Sequence, residues 1–445
     1  SLSSLILFIF FTQYNFILLS LFVLIFTQKM GIINIVTQKM GKSEGVMNKK
    51  VIILVVLMGI ILTLFLNSNN KSEEISKTNQ KNKLLTMNLE QTAGAGDYKT
   101  VTQSEWPTEG YKFNSELSKC ENGSTLSWDD TKKVVIMQGN ISDKCYVYFD
   151  KILTLANYVS SQYTGTQGGN DIYYHNSSLA NGAGDNSYRY AGANPNNYVC
   201  FGSDATTCPE DNLYRIIGVF NNQVKLIKAT FANSNLLGTD GAYYRDTEYK
   251  WSNLSTCPSS TAYLESNIIF LATGNPTTGG CNMWDYSDLN KINLNINYLN
   301  NIGTKWSNLI EDTTWKTSGY TTYDVVVKDL FTAEITNATK TYGPNDGTSK
   351  IGLMYASDYG YAFLPNRYDV KIKDYYNYRT ENWLYNLGCW CLTPIGGSIF
   401  FINSGNGSTT NSTNFNLAYP TFYLKPNVAY KSGTGTSSDP IIIGD

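Results

Sequence analysis

Residues 214–229, YRIIGVFNNQVKLIKA, decide the fold of the C-terminal half of this chain. Two runs rich in β-branched and aromatic residues, 214–220 and 223–229, flank the dipeptide Asn221-Asn222. Asparagine tolerates the positive φ angles that a tight type I′ turn demands. The stretch therefore predicts an antiparallel β-hairpin.

Two helices are predicted after this hairpin. The first has Ser287 as its N-cap and ends at Gly303. Its core face is predicted from four apolar residues at helical spacing, Leu289, Ile292, Ile296 and Leu299. A second, short helix is predicted to bury Trp306, Leu309 and Ile310.

The remainder of the C-terminal body reads as strands and turns. The predicted strands lie within residues 351–362, 398–402, 418–424 and 441–443. Residues 403–416 between two of them form a polar loop. Together with the hairpin and the two helices, this pattern predicts an α+β domain of mainly antiparallel strands over residues 151–445.

The eight cysteines are grouped as neighbours along the chain. They suggest the pairs Cys120 with Cys145, Cys200 with Cys208, and Cys257 with Cys281, and they leave Cys389 near Cys391. All eight follow the apolar segment 51–66, as expected for a protein exported to an oxidising compartment. There is no C-x-x-C pair and only one histidine, His175, so no metal or other cofactor is predicted.

The N-terminal part predicts a membrane anchor. The phrase TQKMG occurs at residues 27–31 and again at 37–41, so residues 1–46 read as spurious upstream translation or as an extra apolar segment. Met47 resembles the initiator methionine of the natural protein, and the basic residues Lys49 and Lys50 follow it. The uncharged run 51–66 would reach roughly 24 Å as a helix, which is long for a cleaved signal peptide and short for a span. An uncleaved signal anchor over 47–66 is preferred to a cleaved signal peptide, with the body outside.

Two further segments separate this anchor from the body. Residues 67–100 are rich in Asn, Lys, Ser, Glu and Thr and predict a flexible spacer. Residues 101–150 predict a small β domain closed by the Cys120–Cys145 disulfide, with strands over 125–128, 133–137 and 146–149.

The composition limits the partners of the body. The net charge is −2 and charged residues make up 16% of the chain, against roughly 25% in typical globular proteins. A nucleic-acid partner needs a basic face and is not expected. The 33 Tyr and 8 Trp, with many polar uncharged residues, suit glycans or protein loops as ligands.

Three stretches, at 197–220, 351–362 and 418–440, resemble a family of Tyr- and Asn-rich surface proteins of Gram-positive gut bacteria. They read NYVCFGSDATTCPEDNLYRIIGVF, IGLMYASDYGYA and AYPTFYLKPNVAYKSGTGTSSDP. The C-terminal part of that family resembles the C-type-lectin fold that formylglycine-generating enzymes share. The resemblance implies a lectin-like head over 151–445.

The same resemblance points to a ligand-facing region. Trp390 stands in a Trp-containing strand of the family, and residues 398–416 stand where lectin-fold relatives present side chains to a ligand. Tyr419 stands where relatives have arginine, which puts the local packing in doubt. With the short polar side chains of 405–414, these positions give the candidate ligand-binding residues: Trp390, Asn403, Asn406, Asn411, Asn414 and Tyr419.

No residue cluster predicts a catalytic site. Cys389 and Cys391 lack the Arg-rich motif of the formylglycine-generating enzymes, so a local disulfide or pairing elsewhere is preferred. His175 reads as a loop histidine, since a Ser/His/Asp arrangement would depend on it alone. Asp358 and Asp369 read as surface-turn residues, since the spaced acidic ligands of a Ca²⁺ site are missing.

The sequence therefore predicts a membrane-anchored extracellular binding or adhesion protein that is not an enzyme. Its lectin-like head would contact an unknown glycan or protein, and the membrane would be contacted through 51–66. Two alternatives stay open, an exported enzyme on the formylglycine-generating-enzyme-like fold and a passive cell-envelope component.

Overall fold

The computed structural model describes residues 72–74 and 85–444, apart from 103–105, 108–109, 256–280, 282, 317–318, 321, 337–347, 386, 396–397 and 404–405. The chain divides into two units, one of 1–74 with 137–141 and one of 75–136 with 142–445. Within the described residues, no helix is both long and apolar enough to cross a membrane. The predicted anchor, 51–66, lies outside the described residues.

The structure is α+β with more strands than helices. The α-helical and π-helical segments are Leu155–Ser161, Ser234–Leu237, Leu289–Tyr298, Leu299–Ile302, Thr304–Ser307, Val327–Phe331, Thr332–Thr336 and Ala356–Tyr361. The 3-10 segments are Gly169–Asp171, Glu210–Asn212, Trp284–Tyr286, Pro365–Arg367 and Ile372–Glu381.

The strands are numbered in chain order. Those before residue 152 are β1 (Ser72–Glu74), β2 (Leu85–Glu90), β3 (Tyr98–Val101), β4 (Tyr111–Phe113), β5 (Lys119–Cys120), β6 (Thr125–Asp129), β7 (Val134–Gln138) and β8 (Cys145–Lys151). Those up to residue 251 are β9 (Ile172–Tyr174), β10 (Tyr188–Tyr190), β11 (Tyr198–Cys200), β12 (Leu213–Phe220), β13 (Gln223–Lys228), β14 (Tyr244–Arg245) and β15 (Glu248–Lys250). The others are β16 (Thr313–Thr314), β17 (Thr348–Ser349), β18 (Cys389–Ile395), β19 (Ser398–Asn403), β20 (Asn406–Thr410), β21 (Phe415–Asn416), β22 (Thr421–Tyr423), β23 (Ala429–Ser432) and β24 (Ile441–Gly444).

The predicted hairpin is the centre of the largest sheet, whose order is β22-β13-β12-β11-β24-β23. Asn221 and Asn222 have φ angles of 48° and 64°, as a tight turn requires, and β12 and β13 pair antiparallel. Both faces of the hairpin are covered, since Ile216 belongs to one core cluster and Ile217 to the other. Burial on both faces explains why apolar residues occur in succession in these strands, as in Ile216-Ile217 and Leu226-Ile227.

The helix after Ser287 is in the predicted place, and its predicted core face is correct in part, since Leu289 is buried and Leu299 packs against the core. Ser287 Oγ accepts a hydrogen bond from Asn290 N at 3.1 Å, as an N-cap does. Residues 289–298 are wound as a π-helix, whose longer turn moves the buried stripe to Leu289, Leu294 and Tyr298. Ile296, predicted to be core, is 53% exposed.

The short helix and the strand assignments gave mixed results. Trp306, Leu309 and Ile310 are buried, as predicted. Residues 351–362 were predicted as strand and turn, but they contain the helix Ala356–Tyr361. The predicted polar loop 403–416 contains β20, which pairs with β19 and so forms the third strand of the sheet β18-β19-β20.

A second sheet, with the order β3-β2-β8-β4 and β5 also on β8, lies nearer the N-terminus. Its aromatic core joins Phe113, Trp128 and Phe149, whose rings are 5.5–6.5 Å apart. Strand β2 is buried and pairs in parallel with β8. Residues 85–100 are therefore not a flexible spacer as predicted, because the apolar side chains of β2 alternate into this core.

Two of the predicted disulfides are present, Cys120–Cys145 and Cys200–Cys208. Cys281 is also disulfide-bonded, and its predicted partner Cys257 lies outside the described residues. Cys389 and Cys391 are free and buried, contrary to the preference for a local or distant disulfide.

The Cys120–Cys145 bond is expected to stabilise its sheet more than Cys200–Cys208 stabilises the main sheet, because its sequence separation is 25 against 8. Chain-entropy loss gives about 3.5 and about 2.5 kcal/mol respectively. Urea unfolding of the two double-alanine variants without reductant measures both losses. A smaller loss for the Cys120/Cys145 variant would contradict the expectation.

Candidate functional site

The six predicted ligand-binding residues do not form one exposed face. Asn403 and Asn406 lie opposite each other at the end of the β19-β20 hairpin, where Asn403 is exposed. Asn411 and Asn414 belong to the following turn, in which Asn414 Nδ2 donates to Thr410 Oγ1 at 2.5 Å and Asn414 N to Asn411 O at 3.0 Å. Asn414 therefore stabilises the turn in its own segment.

Trp390 and Tyr419 are core residues, contrary to the prediction that they face a ligand. Trp390 is 0% exposed, and its indole N–H donates to Tyr249 O at 2.8 Å. Tyr419 is 5% exposed and packs in the cluster that includes Cys389. Strand β18 is buried along its whole length, so the tryptophan of this strand serves packing.

The two free thiols are poorly suited to catalysis. Cys389 and Cys391 lie on β18 two residues apart and so share a face. Burial, reinforced by Cys389, raises the pKa of the Cys391 thiol well above its usual range. A thiol that stays protonated is a weak nucleophile and metal ligand. Among the described residues, no group of three or more His, Cys, Asp and Glu could hold a metal ion.

His175 lies in a loop directly after β9, as predicted, and its side chain is buried in the core. It is 0% exposed and packs against Tyr361 with ring centroids 4.8 Å apart. Its Nδ1 accepts a hydrogen bond from Ala183 N at 3.1 Å. Burial, followed by the nearby Arg189 cation, lowers its pKa well below the usual value, so the imidazole is neutral.

A polar cleft of about 130 Å³ lies elsewhere, between the helix Leu155–Ser161 and the turn that joins β23 to β24. Its polar walls are formed by Tyr158, Gln162, Asn170, Asp171, Asn196 and Thr434. Tyr190 and Ile441, both buried, form its apolar part. None of the six predicted residues lines it.

The helix side of the cleft is fixed by capping and by strand β23. Thr154 caps the helix by accepting from Asn157 N at 3.2 Å, and Leu155 N donates to Val428 O at 2.8 Å. Leu155, Ala156 and Val159 are buried, and Tyr158 is half-buried at the edge of the same core. Tyr158 stacks on Tyr430 with centroids 3.7 Å apart and planes 11° apart.

The second wall is a turn with left-handed backbone. Asn170 and Asp171 have φ angles of 54° and 59°. Asn170 Nδ2 donates to Gln162 O at 2.8 Å, which joins the turn to the end of the helix. Ala191 N donates to Asp171 O at 3.0 Å and joins the same turn to the segment after β10.

The third wall depends on a close approach of two backbones. Gly435 has φ of 82°, and a Cβ there would lie 2.5 Å from the carbonyl oxygen of Asn196. Only glycine fits that position. Thr434 is held by Asp439 Oδ2, which accepts from its N–H at 3.0 Å and from its hydroxyl at 2.8 Å. The three walls are therefore formed before any ligand binds, which lowers the entropy cost of binding.

The cleft offers uncharged donors and acceptors with a single acid. Burial, and then the interaction with Tyr430, raises the pKa of Tyr158 to about 12, so its hydroxyl stays protonated at neutral pH. Asp171 is the one acid among the lining residues, and no Lys, Arg or His of the described part lines the cleft. These groups suit a neutral polar ligand better than an anion.

The sequence contained no signal for this cleft. Its walls come from residues 158–171, 190–196 and 434–441, which are ordinary helix, turn and loop segments.

Comparison with known proteins identifies no relative of this chain. No family model, no curated protein and no solved structure matches it.

Proposed function

We propose that this chain is an exported binding protein whose C-terminal head holds a neutral, hydroxyl-rich ligand of the carbohydrate class in the polar cleft. The observation on which the proposal rests is the lining of that cleft, with amide, hydroxyl and phenol groups and one carboxylate around a buried tyrosine. The head is proposed to be C-type-lectin-like, as the family resemblance implies.

The chemistry of the lining favours carbohydrate over other ligand classes. Each sugar hydroxyl both donates and accepts, and the amides of Gln162, Asn170 and Asn196 do the same. A phosphate or nucleic-acid ligand would need cations that the lining lacks. The cleft, at about 130 Å³, is smaller than the roughly 300 Å³ of most small-molecule sites, so the proposal assigns it one terminal sugar unit and not a longer glycan.

Export and anchoring are part of the same proposal. The disulfide bonds Cys120–Cys145 and Cys200–Cys208 support an oxidising compartment. The anchor is proposed at 51–66, with the body outside the cell membrane. Adhesion to a glycan-bearing surface would follow from this placement.

Asn196→Ala is expected to weaken glycan binding about tenfold, because one hydrogen bond is worth about 1 kcal/mol and leaving a ligand hydroxyl unpaired adds to the loss. Asn196 is exposed, so stability should change by less than about 0.5 kcal/mol. A glycan array probed with the full chain in detergent selects the ligand, and calorimetry then measures Kd.

Asn194→Ala is the matched control, since Asn194 is exposed two residues away and does not line the cleft. It should leave Kd unchanged. An array without any signal above background would overturn the proposal. Equal weakening by both substitutions would place the ligand outside the cleft.

A further inference from the structure

A lysine and an aspartate meet in the core of the head. Lys225 Nζ on β13 lies 2.5 Å from Asp358 Oδ2 on the helix Ala356–Tyr361. The two side chains are 1% and 3% exposed. They are 133 residues apart in sequence.

Aromatic rings surround the amine. Lys225 Nζ lies within 6 Å of four ring centroids, those of Tyr355 (4.5 Å), Tyr423 (5.3 Å), Trp315 (5.6 Å) and Phe220 (5.8 Å). Such surroundings exclude water, and burying two separate charges in them costs several kcal/mol per ion. A covalent bond formed there would also be protected from hydrolysis.

The carboxyl group of Asp358 is held in one orientation. Its Oδ2 accepts a hydrogen bond from Tyr355 N at 2.8 Å. Its Oδ1 lies 3.7 Å from Nη1 of Arg189, a buried cation that is also paired with Asp185 at 2.7 Å. Negative charge that develops on Oδ1 would therefore face a fixed guanidinium group.

A second carboxyl group lies next to this pair. Glu334 is 1% exposed, accepts from Thr393 Oγ1 at 2.5 Å, and accepts from Ser357 N, the residue before Asp358, at 3.3 and 3.4 Å. Burial raises the pKa of Glu334 to about 7 against the opposing effect of these hydrogen bonds. Through these bonds Glu334 holds the start of the helix that carries Asp358.

We propose that Lys225 and Asp358 condense into an intramolecular amide bond. The ammonium group first gives one proton to Oδ2 of Asp358, which lies 2.5 Å from Nζ. The Nζ lone pair then attacks Cγ of Asp358, and the negative charge forms on Oδ1, facing Arg189. As the Cγ–Oδ2 bond breaks, the departing hydroxyl takes a second proton from Nζ and leaves as water.

The step balances without another reactant. An ammonium and a carboxylate become one amide and one water molecule, and nothing is oxidised or reduced. The amide would join the main sheet covalently to the helix Ala356–Tyr361.

The mass of the intact full chain tests the proposal. After reduction and denaturation, the wild-type chain is expected to be lighter than its sequence by one water molecule. Proteolysis should give a branched peptide containing Lys225 and Asp358. Lys225→Arg and Asp358→Ala should each have the mass calculated from their own sequences, with no water lost. This measurement does not require either variant to fold.

Two results would overturn the amide bond. A wild-type chain at full sequence mass would mean that Lys225 and Asp358 form only an ion pair. A mass loss that persists in Lys225→Arg would mean that the aspartate dehydrates onto its own backbone.

Discussion

Asp358→Ala is expected to lower the free energy of unfolding by about 3–5 kcal/mol, which is the usual cost of removing one partner from a buried charge pair. The substitution leaves Lys225 and Arg189 without the carboxylate that both face, and the two cations are 1% and 3% exposed. It also removes the acceptor for Tyr355 N at the start of the helix. The loss is expected whether the pair is ionic or amide-bonded.

Urea unfolding followed by tryptophan fluorescence measures this loss. Asp369→Ala is the matched control, because Asp369 is an exposed aspartate near the same helix, and it should change stability by less than about 0.5 kcal/mol. Adding Lys225→Met to Asp358→Ala should recover part of the loss, since one unpaired cation is then gone. A loss below about 1 kcal/mol would show that water reaches the two cations.

Trp390→Ala is expected to cost about 3–5 kcal/mol in folding free energy, as for other large-to-small substitutions in a core. Trp390 is fully buried, and the substitution leaves Tyr249 O without its indole donor. Trp390→Phe should cost less, because it keeps most of the volume and loses only the hydrogen bond.

The same variants separate a packing role from ligand contact. Asn403→Ala, at an exposed position of the predicted ligand-facing region, should leave stability unchanged. Thermal unfolding with parallel glycan-binding measurements distinguishes the two roles. If Trp390→Ala kept wild-type stability and lost only binding, the tryptophan would be a ligand contact after all.

The local signals in the sequence predicted local structure well. Asn221-Asn222 specified its turn, and the neighbouring cysteines at 120 and 145, and at 200 and 208, specified two bonds. These features depend on a few adjacent residues or on short loops. Predictions of the helix type and of the buried helix face were less accurate. Ile296 follows the α-helical period, but its segment is wound as a π-helix.

The candidate sites could not be predicted, because their residues meet only through tertiary structure. Asp358 stands between Ser357 and Tyr359 in the stretch 351–362, whose turn-like composition predicts a surface residue. Its burial depends on Lys225, which is 133 residues away. The cleft likewise joins Tyr158 and Asn170 to Thr434, and none of these residue types is unusual in its own segment.

The position of β24 has a consequence for how the chain is made. This strand lies inside the main sheet, between β11 and β23, and pairs Val199 with Ile441. The main sheet can therefore be completed only after the chain has been synthesised through residue 444, because β11 pairs with β24. Pairing over such a distance is slow, so the nascent head would stay open, with its apolar strands exposed to aggregation, until β24 has been made.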